Sequence, residues 1–386
     1  MERYETLIKA VSPEMYKLNA FRVLGLPITI SQREISRRVQ KIEFMHKLGE
    51  NIQEDEGVFN INLPDRQQAV KDAVQKLKDP ELRLIDEFFW FWPKQFGVQD
   101  DNDEALIAIE RGDTKTALTI WKQLEDDSII ATHNLAVLSH TFALDVECKG
   151  LTKSLTEVQI KGMQSNWNAV CKRWTKCIEH EGLWQRFRER IRELDDARLT
   201  TGITKRFRET LPYALLLINC KLALRFAEEY KINDTERHFQ IIDGFGFDND
   251  LVDEVKQVTI QPVRERIKII CASAEKEPEQ NPGNCDKVAM NLIEQSAEPL
   301  RMLDIFCSNE SELRQAIHDD IANKISECAY VFTKETEDWH TTLELLNSAL
   351  DIAVSENVRE QLQNNINTVK AVRERITKEM IAPAPV

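Results

Sequence analysis

At 386 residues, with 42% hydrophobic and 30% charged side chains, the chain is long for one compact core, so two or three domains or an extended helical array are expected. Twelve Gly and twelve Pro are few for that length and argue against an all-β fold with many turns. A net charge of −14 argues against general nucleic-acid binding, which leaves a basic footprint.

The opening Met1-Glu2-Arg3-Tyr4 lacks the pattern of a secretory signal, and no run of about 18 apolar residues is available to span a bilayer. A cytoplasmic protein with no membrane contact is therefore expected. The eight cysteines, at 148, 171, 177, 220, 271, 285, 307 and 328, include no Cys-x-x-Cys pair, the spacing that zinc and thioredoxin-like sites need. They read as reduced, mostly buried thiols.

In chain order, residues 1–18 form a lead-in with a turn or helix start at Ser12-Pro13-Glu14. Asn19-Ala20-Phe21-Arg22-Val23-Leu24-Gly25-Leu26-Pro27 comes next. Ser31-Gln32-Arg33-Glu34 is a capping box, with the Ser side chain accepting from an unpaired amide of the first turn and Glu34 reaching back to the cap amide. A helix therefore starts near residue 32. Ile35, Val39, Ile42 and His46 make one apolar stripe on it, while Arg33, Arg37, Arg38, Lys41 and Lys47 lie mostly off that stripe. Pro64 suits the first turn of a second long helix, whose apolar face is Ala69, Val70, Ala73, Val74 and Leu77. The segment closes on Leu77-Lys78-Asp79-Pro80-Glu81-Leu82-Arg83-Leu84.

This pair of end motifs resembles the frame of a J-domain: a short first helix ending in a Leu-Gly-Leu turn, a basic second helix, a loop, an Ala-rich third helix and a terminal Leu-x-Asp-Pro-x-x-Arg turn. The resemblance implies a DnaK-type chaperone as partner, met by the basic residues Arg33, Arg37, Arg38, Lys41, His46 and Lys47. The family's His-Pro-Asp tripeptide, which stimulates ATP hydrolysis by that chaperone, occurs nowhere in this chain. Without gaps it aligns with His46-Lys47-Leu48; with a long insertion it aligns with Leu63-Pro64-Asp65. The first alignment keeps the family's distance to Asp79-Pro80. On either one the module is J-like and is expected not to trigger ATPase activity in the ordinary way. His46 is then either the nearest remnant of the tripeptide or the end of an apolar stripe.

Phe88-Phe89-Trp90-Phe91-Trp92-Pro93 is too apolar to be solvated on all sides. It reads as core that docks the J-like module on the C-terminal remainder of the chain, with a partner-binding patch of Phe89, Trp90 and Trp92 as the functional alternative. Residues 94–102 are a polar, acidic connector. Beyond it, Arg111-Gly112-Asp113 between two apolar-periodic segments, the second containing Trp121, resembles a tetratricopeptide-type hairpin, which needs stacked neighbours to bury its apolar face. Trp167, Cys171, Trp174 and Ile178 form a core stripe, and His180-Glu181-Gly182 lacks the spacing of a metal-binding helix. The mixed charges from Arg186 to Asp196 read as a solvated face or as a docking surface for an acidic partner. The apolar run from Leu211 to Ala227 is interrupted by Asn219 and Lys221 and reads as a central buried helix too short to span a membrane. Asp243-Gly244-Phe245-Gly246-Phe247 lacks the context of a phosphate loop and reads as a turn. A second linker is expected from Glu275 to Cys285, then helices over 286–378, including the tetratricopeptide-like Trp339–Ala353, and a disordered tail.

The expectation is an all-α protein: a J-like module with lead-in at 1–93, a tetratricopeptide-like helical domain at 94–274, a C-terminal helical region at 286–378 and a tail at 379–386. No catalytic motif, metal cluster or cofactor loop stands out and the seven histidines are dispersed, so neither an enzyme nor a cofactor is expected. The J resemblance implies a co-chaperone or adaptor that joins a DnaK-type chaperone to a client or partner. The alternative is a helical scaffold of a multi-protein complex with no chaperone contact.

Overall fold

The computed structural model of the chain describes residues 3–47, 66–95, 103–150, 156–200 and 202–381. The fold is all-α, and among these residues there is no strand. The chain divides into two compact units, Met1–Val255 and Lys256–Val386. This division differs from the boundaries expected near residues 93 and 274. The described residues on either side of the polar connector both belong to the first unit, and the boundary falls within a helix.

The first unit begins with α1 (Glu5–Ala10), α2 (Ala20–Leu24), α3 (Gln32–Lys47), α4 (Arg66–Lys78) and α5 (Pro80–Phe88). Several are started or stopped by chemistry visible in the chain. Asn19 caps α2 through its side-chain oxygen, and Gly25 ends it in the left-handed region at φ 63°, where a Cβ would be strained. Asp79 Oδ1 accepts from the backbone amides of Glu81 and Leu82, both at 3.0 Å, and Pro80 fills the first helical position of α5. An Asp79→Ala variant is expected to lower stability by about 1 kcal/mol. Urea denaturation would read this as a lower midpoint at unchanged slope; an unmoved midpoint would rule the cap out as a stabilising contact.

The first unit continues with α6 (Glu104–Glu110), α7 (Thr114–Leu124), α8 (Ile129–Gly150), α9 (Glu157–Glu179), α10 (Glu181–Leu194), α11 (Ile203–Glu228), α12 (Ile232–Gly244) and α13 (Asn249–Thr259), where the boundary falls. Helices α6 and α7 form a hairpin through Gly112 at φ 75°, and Asp113 caps α7 by accepting from the amide of Thr116. The pattern then diverges from short hairpins, because α8 and α9 are long and pair with each other. By length and composition alone α11 could cross a bilayer, which corrects the reading of it as too short. Within the unit it is buried on nearly every face, from Ile203 through Leu215 and Ile218 to Ala227. The turn expected at 243–247 joins α12, which ends at Gly244, to α13: Phe245 is buried and stacks on Phe247, and Gly246 takes φ 66°.

The second unit contains α14 (Gln261–Gln280), a single 3-10 turn (Pro282–Asn284), α15 (Cys285–Phe306), α16 (Glu312–Thr336), α17 (Trp339–Ile352) and α18 (Glu356–Ile381). The expected linker at 275–285 is thus mostly helix, because the Pro-Gly pair suffices for the turn and α14 packs directly on α15. Each helix packs on the next and also on the next but one, so the apolar faces are covered mainly by sequence neighbours. Helix α18 runs into the expected tail as far as Ile381.

Candidate functional site

The surface that the sequence singles out is α3. Its capping box forms as read: Ser31 Oγ accepts from the Glu34 amide at 3.4 Å, and the Ser31 amide and hydroxyl both donate to Glu34 Oε2, at 3.0 and 2.6 Å. Those bonds hold the exposed Glu34 carboxyl below the usual carboxylate range. Ile35 and Ile42 are buried, which orients the helix, and Arg38 turns inward to donate from Nε to Leu24 O at 2.9 Å. Arg33, Arg37 and Lys41 face outward. The side chains of His46 and Lys47 lie outside the described residues, as does the whole of Leu63-Pro64-Asp65.

One further residue on this face was not expected from the sequence. Phe44 is 61% exposed. At 3.6 residues per turn Arg33, Arg37, Lys41 and Phe44 fall within roughly 80° of arc, opposite Ile35 and Ile42. The i, i+4, i+8, i+11 spacing was available as a signal, but an isolated Phe in a helix reads as core.

A set of buried charges ties α2, α4 and α5 together and to α8 and α10. The Ala20 amide donates to Asp86 Oδ2 at 2.8 Å, Asn19 Nδ2 donates to Asp86 O at 2.8 Å, and Lys76 Nζ donates to Leu18 O at 3.0 Å. Burial raises the Asp86 carboxyl above its ordinary value, against the pull of Lys76 and the Ala20 amide. Glu87, also buried, accepts from Arg83 Nε at 2.8 Å and from Arg190 Nε and Nη2 at 2.7 and 3.0 Å, and Arg190 Nη2 also donates to Ile28 O at 3.2 Å. Arg83 of the closing motif and Arg190 of α10 therefore share one carboxylate. The run from Arg186 to Asp196, expected to be a solvated face or a docking surface, contains this anchor. Arg22 adds a third link, donating to both carboxylate oxygens of Asp145 on α8, at 3.0 and 2.6 Å.

Phe89, Trp90 and Trp92 are all buried, which corrects their placement as partner-binding candidates and explains why the module has no boundary behind it. The Trp92 amide donates to Asn134 Oδ1 at 2.8 Å, Asn134 Nδ2 returns a bond to Trp92 O at 2.9 Å, and Trp92 Nε1 donates to Glu87 O at 2.8 Å. Phe91 stacks on Trp121. At the two ends of this aromatic block, α8 supplies the backbone partners: His133 bonds Phe88 O and Asn134 bonds the Trp92 amide and carbonyl.

Helix α8 is unusual in burying polar groups along its length. His133 Nε2 donates to Phe88 O at 2.8 Å; His140 Nδ1 accepts from Trp174 Nε1 at 3.2 Å, with the Tyr16 hydroxyl also 3.2 Å away. Burial lowers His133 to about 4, against its bonds to Phe88 and Asn134, and lowers His140 to about 3. Glu147 accepts from Arg237 Nη1 and Nη2 at 2.5 and 2.9 Å and from Trp167 Nε1 at 2.9 Å, with His238 Nε2 at 3.4 Å. Burial acts to raise this carboxyl, but His238 and Arg237 outweigh it and hold it down at about 2.

These groups predict acid sensitivity. Both histidines titrate lower in the folded chain than their ordinary 6.5, so the unfolded chain binds more protons. Their contribution is complete above pH 6.5 and is lost as pH falls toward about 4 and about 3. Glu147 adds a further loss below its ordinary 4.5, down to about 2. The raised Asp86 has the opposite sign, its contribution being lost as pH rises, and offsets part of this below neutrality. Unfolding of the first unit is expected to need less urea at pH 5 than at pH 7, with a smaller loss in His140→Phe; a pH-independent midpoint over that range would contradict the assignment.

All eight cysteines are free, six of them buried. Burial pushes Cys171 up to about 12 and Cys328 up to about 11, so neither is a thiolate near neutrality. His180, exposed, caps α10 by accepting from the Gly182 amide at 3.1 Å. Among the described residues no group of three or more His, Cys, Asp or Glu is placed to hold a metal ion.

The fold and these sites define an all-α protein of two helical units with a basic, aromatic-bearing outer helix. Comparison of the chain with protein-family models, curated proteins and solved structures gives no match.

Proposed function

We propose that this chain is a J-domain-like co-chaperone or adaptor of the cytoplasm. The outward face of α3 addresses a DnaK-type chaperone, and the helical remainder holds a client or partner protein. The observation that carries this reading is the outward row of Arg33, Arg37 and Lys41 on α3, a helix whose opposite face is buried and whose frame is anchored at both ends by the Asn19 and Asp79 caps. Such a row steers association with an acidic surface, and salt weakens it. Because the chain lacks His-Pro-Asp, docking is not coupled to ATP hydrolysis in the ordinary way.

The test is a single-turnover ATPase assay on the DnaK-type chaperone, with a pull-down at low and high salt. Salt-sensitive binding without stimulation, weakened at low salt in Arg37→Glu, is the expected result. Stimulation lost in Arg37→Glu or His46→Gln would make the chain a working J-protein with a divergent trigger. Neither binding nor stimulation would overturn the proposal and favour a helical scaffold.

A further inference from the structure

Resting on that reading, we infer that Phe44 is the apolar anchor of the α3 interface, seated in a hydrophobic recess that carboxylates surround on the chaperone. Three cations and one aromatic share a single outward stripe, and the two kinds of group do different work. Cations at the edge of a contact raise the rate of encounter and lose their effect in salt. An aromatic side chain that becomes buried on binding slows dissociation and is insensitive to salt.

The position of Phe44 fits the second role. Ile35 and Ile42 already supply the apolar face that α3 buries in its own unit, so Phe44 is surplus to packing. It points away from that face, between the angular positions of Arg33 and Arg37. A protein surface fits this stripe better than an anionic bilayer. Among the described residues the stripe holds one aromatic rather than an apolar band, with Glu34 and Gln40 exposed beside it.

The experiment measures association and dissociation rates of the full chain on the immobilised DnaK-type chaperone at low and high salt, for wild type, Phe44→Ala, Phe44→Leu and Arg37→Glu. Circular dichroism melts check folding, and Phe44→Ala is expected to melt as wild type because the side chain is exposed. Phe44→Ala is expected to dissociate at least about ten-fold faster with an unchanged association rate, at both salt concentrations. Phe44→Leu should recover most of this, and Arg37→Glu should slow association at low salt only. Loss of binding in Arg37→Glu with unchanged dissociation of Phe44→Ala would overturn the anchor and leave the chaperone reading standing. Failure of the wild type to bind the chaperone would overturn both. Salt-sensitive binding of the wild type to phosphatidylserine vesicles, lost in Phe44→Ala, would also overturn the inference and assign the stripe to a membrane surface.

Discussion

Replacing Glu147 by alanine is expected to destabilise the first unit by about 3–5 kcal/mol, the cost of leaving a buried partner charge uncompensated. Glu147 is fully buried and is the shared acceptor of Arg237 on α12 and of Trp167 on α9. Without it the Arg237 guanidinium keeps Asp234, at 2.9 Å, as its carboxylate, and the Trp167 indole N–H loses its acceptor. Three helices are held by this one carboxylate, so its loss should act cooperatively. Urea denaturation followed by tryptophan fluorescence measures the effect. A double variant, Glu147→Leu with Arg237→Met, removes both charges and should recover most of the loss, because a buried pair is worth little more than apolar residues of the same volume. A drop of less than about 1 kcal/mol in Glu147→Ala would show that the pair is not held dry.

Replacing Phe88 by alanine should cost as much through a different mechanism, about 3–5 kcal/mol for the lost ring and the cavity it leaves. The Phe88 ring lies 4.6 Å from that of Phe207, 5.2 Å from Phe89, 5.3 Å from Phe187 and 5.6 Å from Trp184. Trp174 stacks on it at 5.8 Å and Trp92 meets it edge-on at 5.9 Å. It ends α5 and touches rings on α9, α10 and α11, so α5 and these later helices share one core. Phe88→Leu keeps most of the volume and should cost less than about 1.5 kcal/mol. Equal midpoints for Phe88→Ala and wild type would mean that α5 is not part of the core. The contrast with Phe44→Ala, which should leave stability unchanged, separates the two kinds of Phe in one assay.

Much of the local structure is legible in the sequence alone, because it depends on residues close in the chain. Ser31 and Glu34 are three apart and form their capping box; Asp79-Pro80 starts α5; Gly25 and Gly112 take the left-handed conformations that their turns need. Trp167, Cys171 and Trp174 recur at helical spacing and all are buried. The basic residues of α3 follow from the same period, with the exception of Arg38. It lies nearer the buried face, and only the position of Leu24 O makes it an internal donor.

What the chain could not disclose is long-range pairing. Glu147 and Arg237 stand 90 residues apart, and Glu87 and Arg190 stand 103 apart. By type all four belong to the surface, and the Arg186–Asp196 run looks solvated throughout. Their burial depends on which helices meet, and nothing in a local window encodes that. The aromatic block shows the same limit from the other side. Its apolarity demands cover, but whether the cover is another protein or α8 to α11 of the same chain is decided only when Asn134 is seen gripping the Trp92 backbone. The unit boundary moves from residue 93 to Val255 for that reason.

Sequence by itself determined the all-α class, the caps, the turns and the outward charge of α3, since these follow from spacing and backbone preference within a few residues. Tertiary structure alone decided which Phe is core and which is exposed, which charges are buried in pairs, and where one unit ends. Those outcomes depend on desolvation and packing between segments distant in the chain, and these free energies exist only once the segments have met.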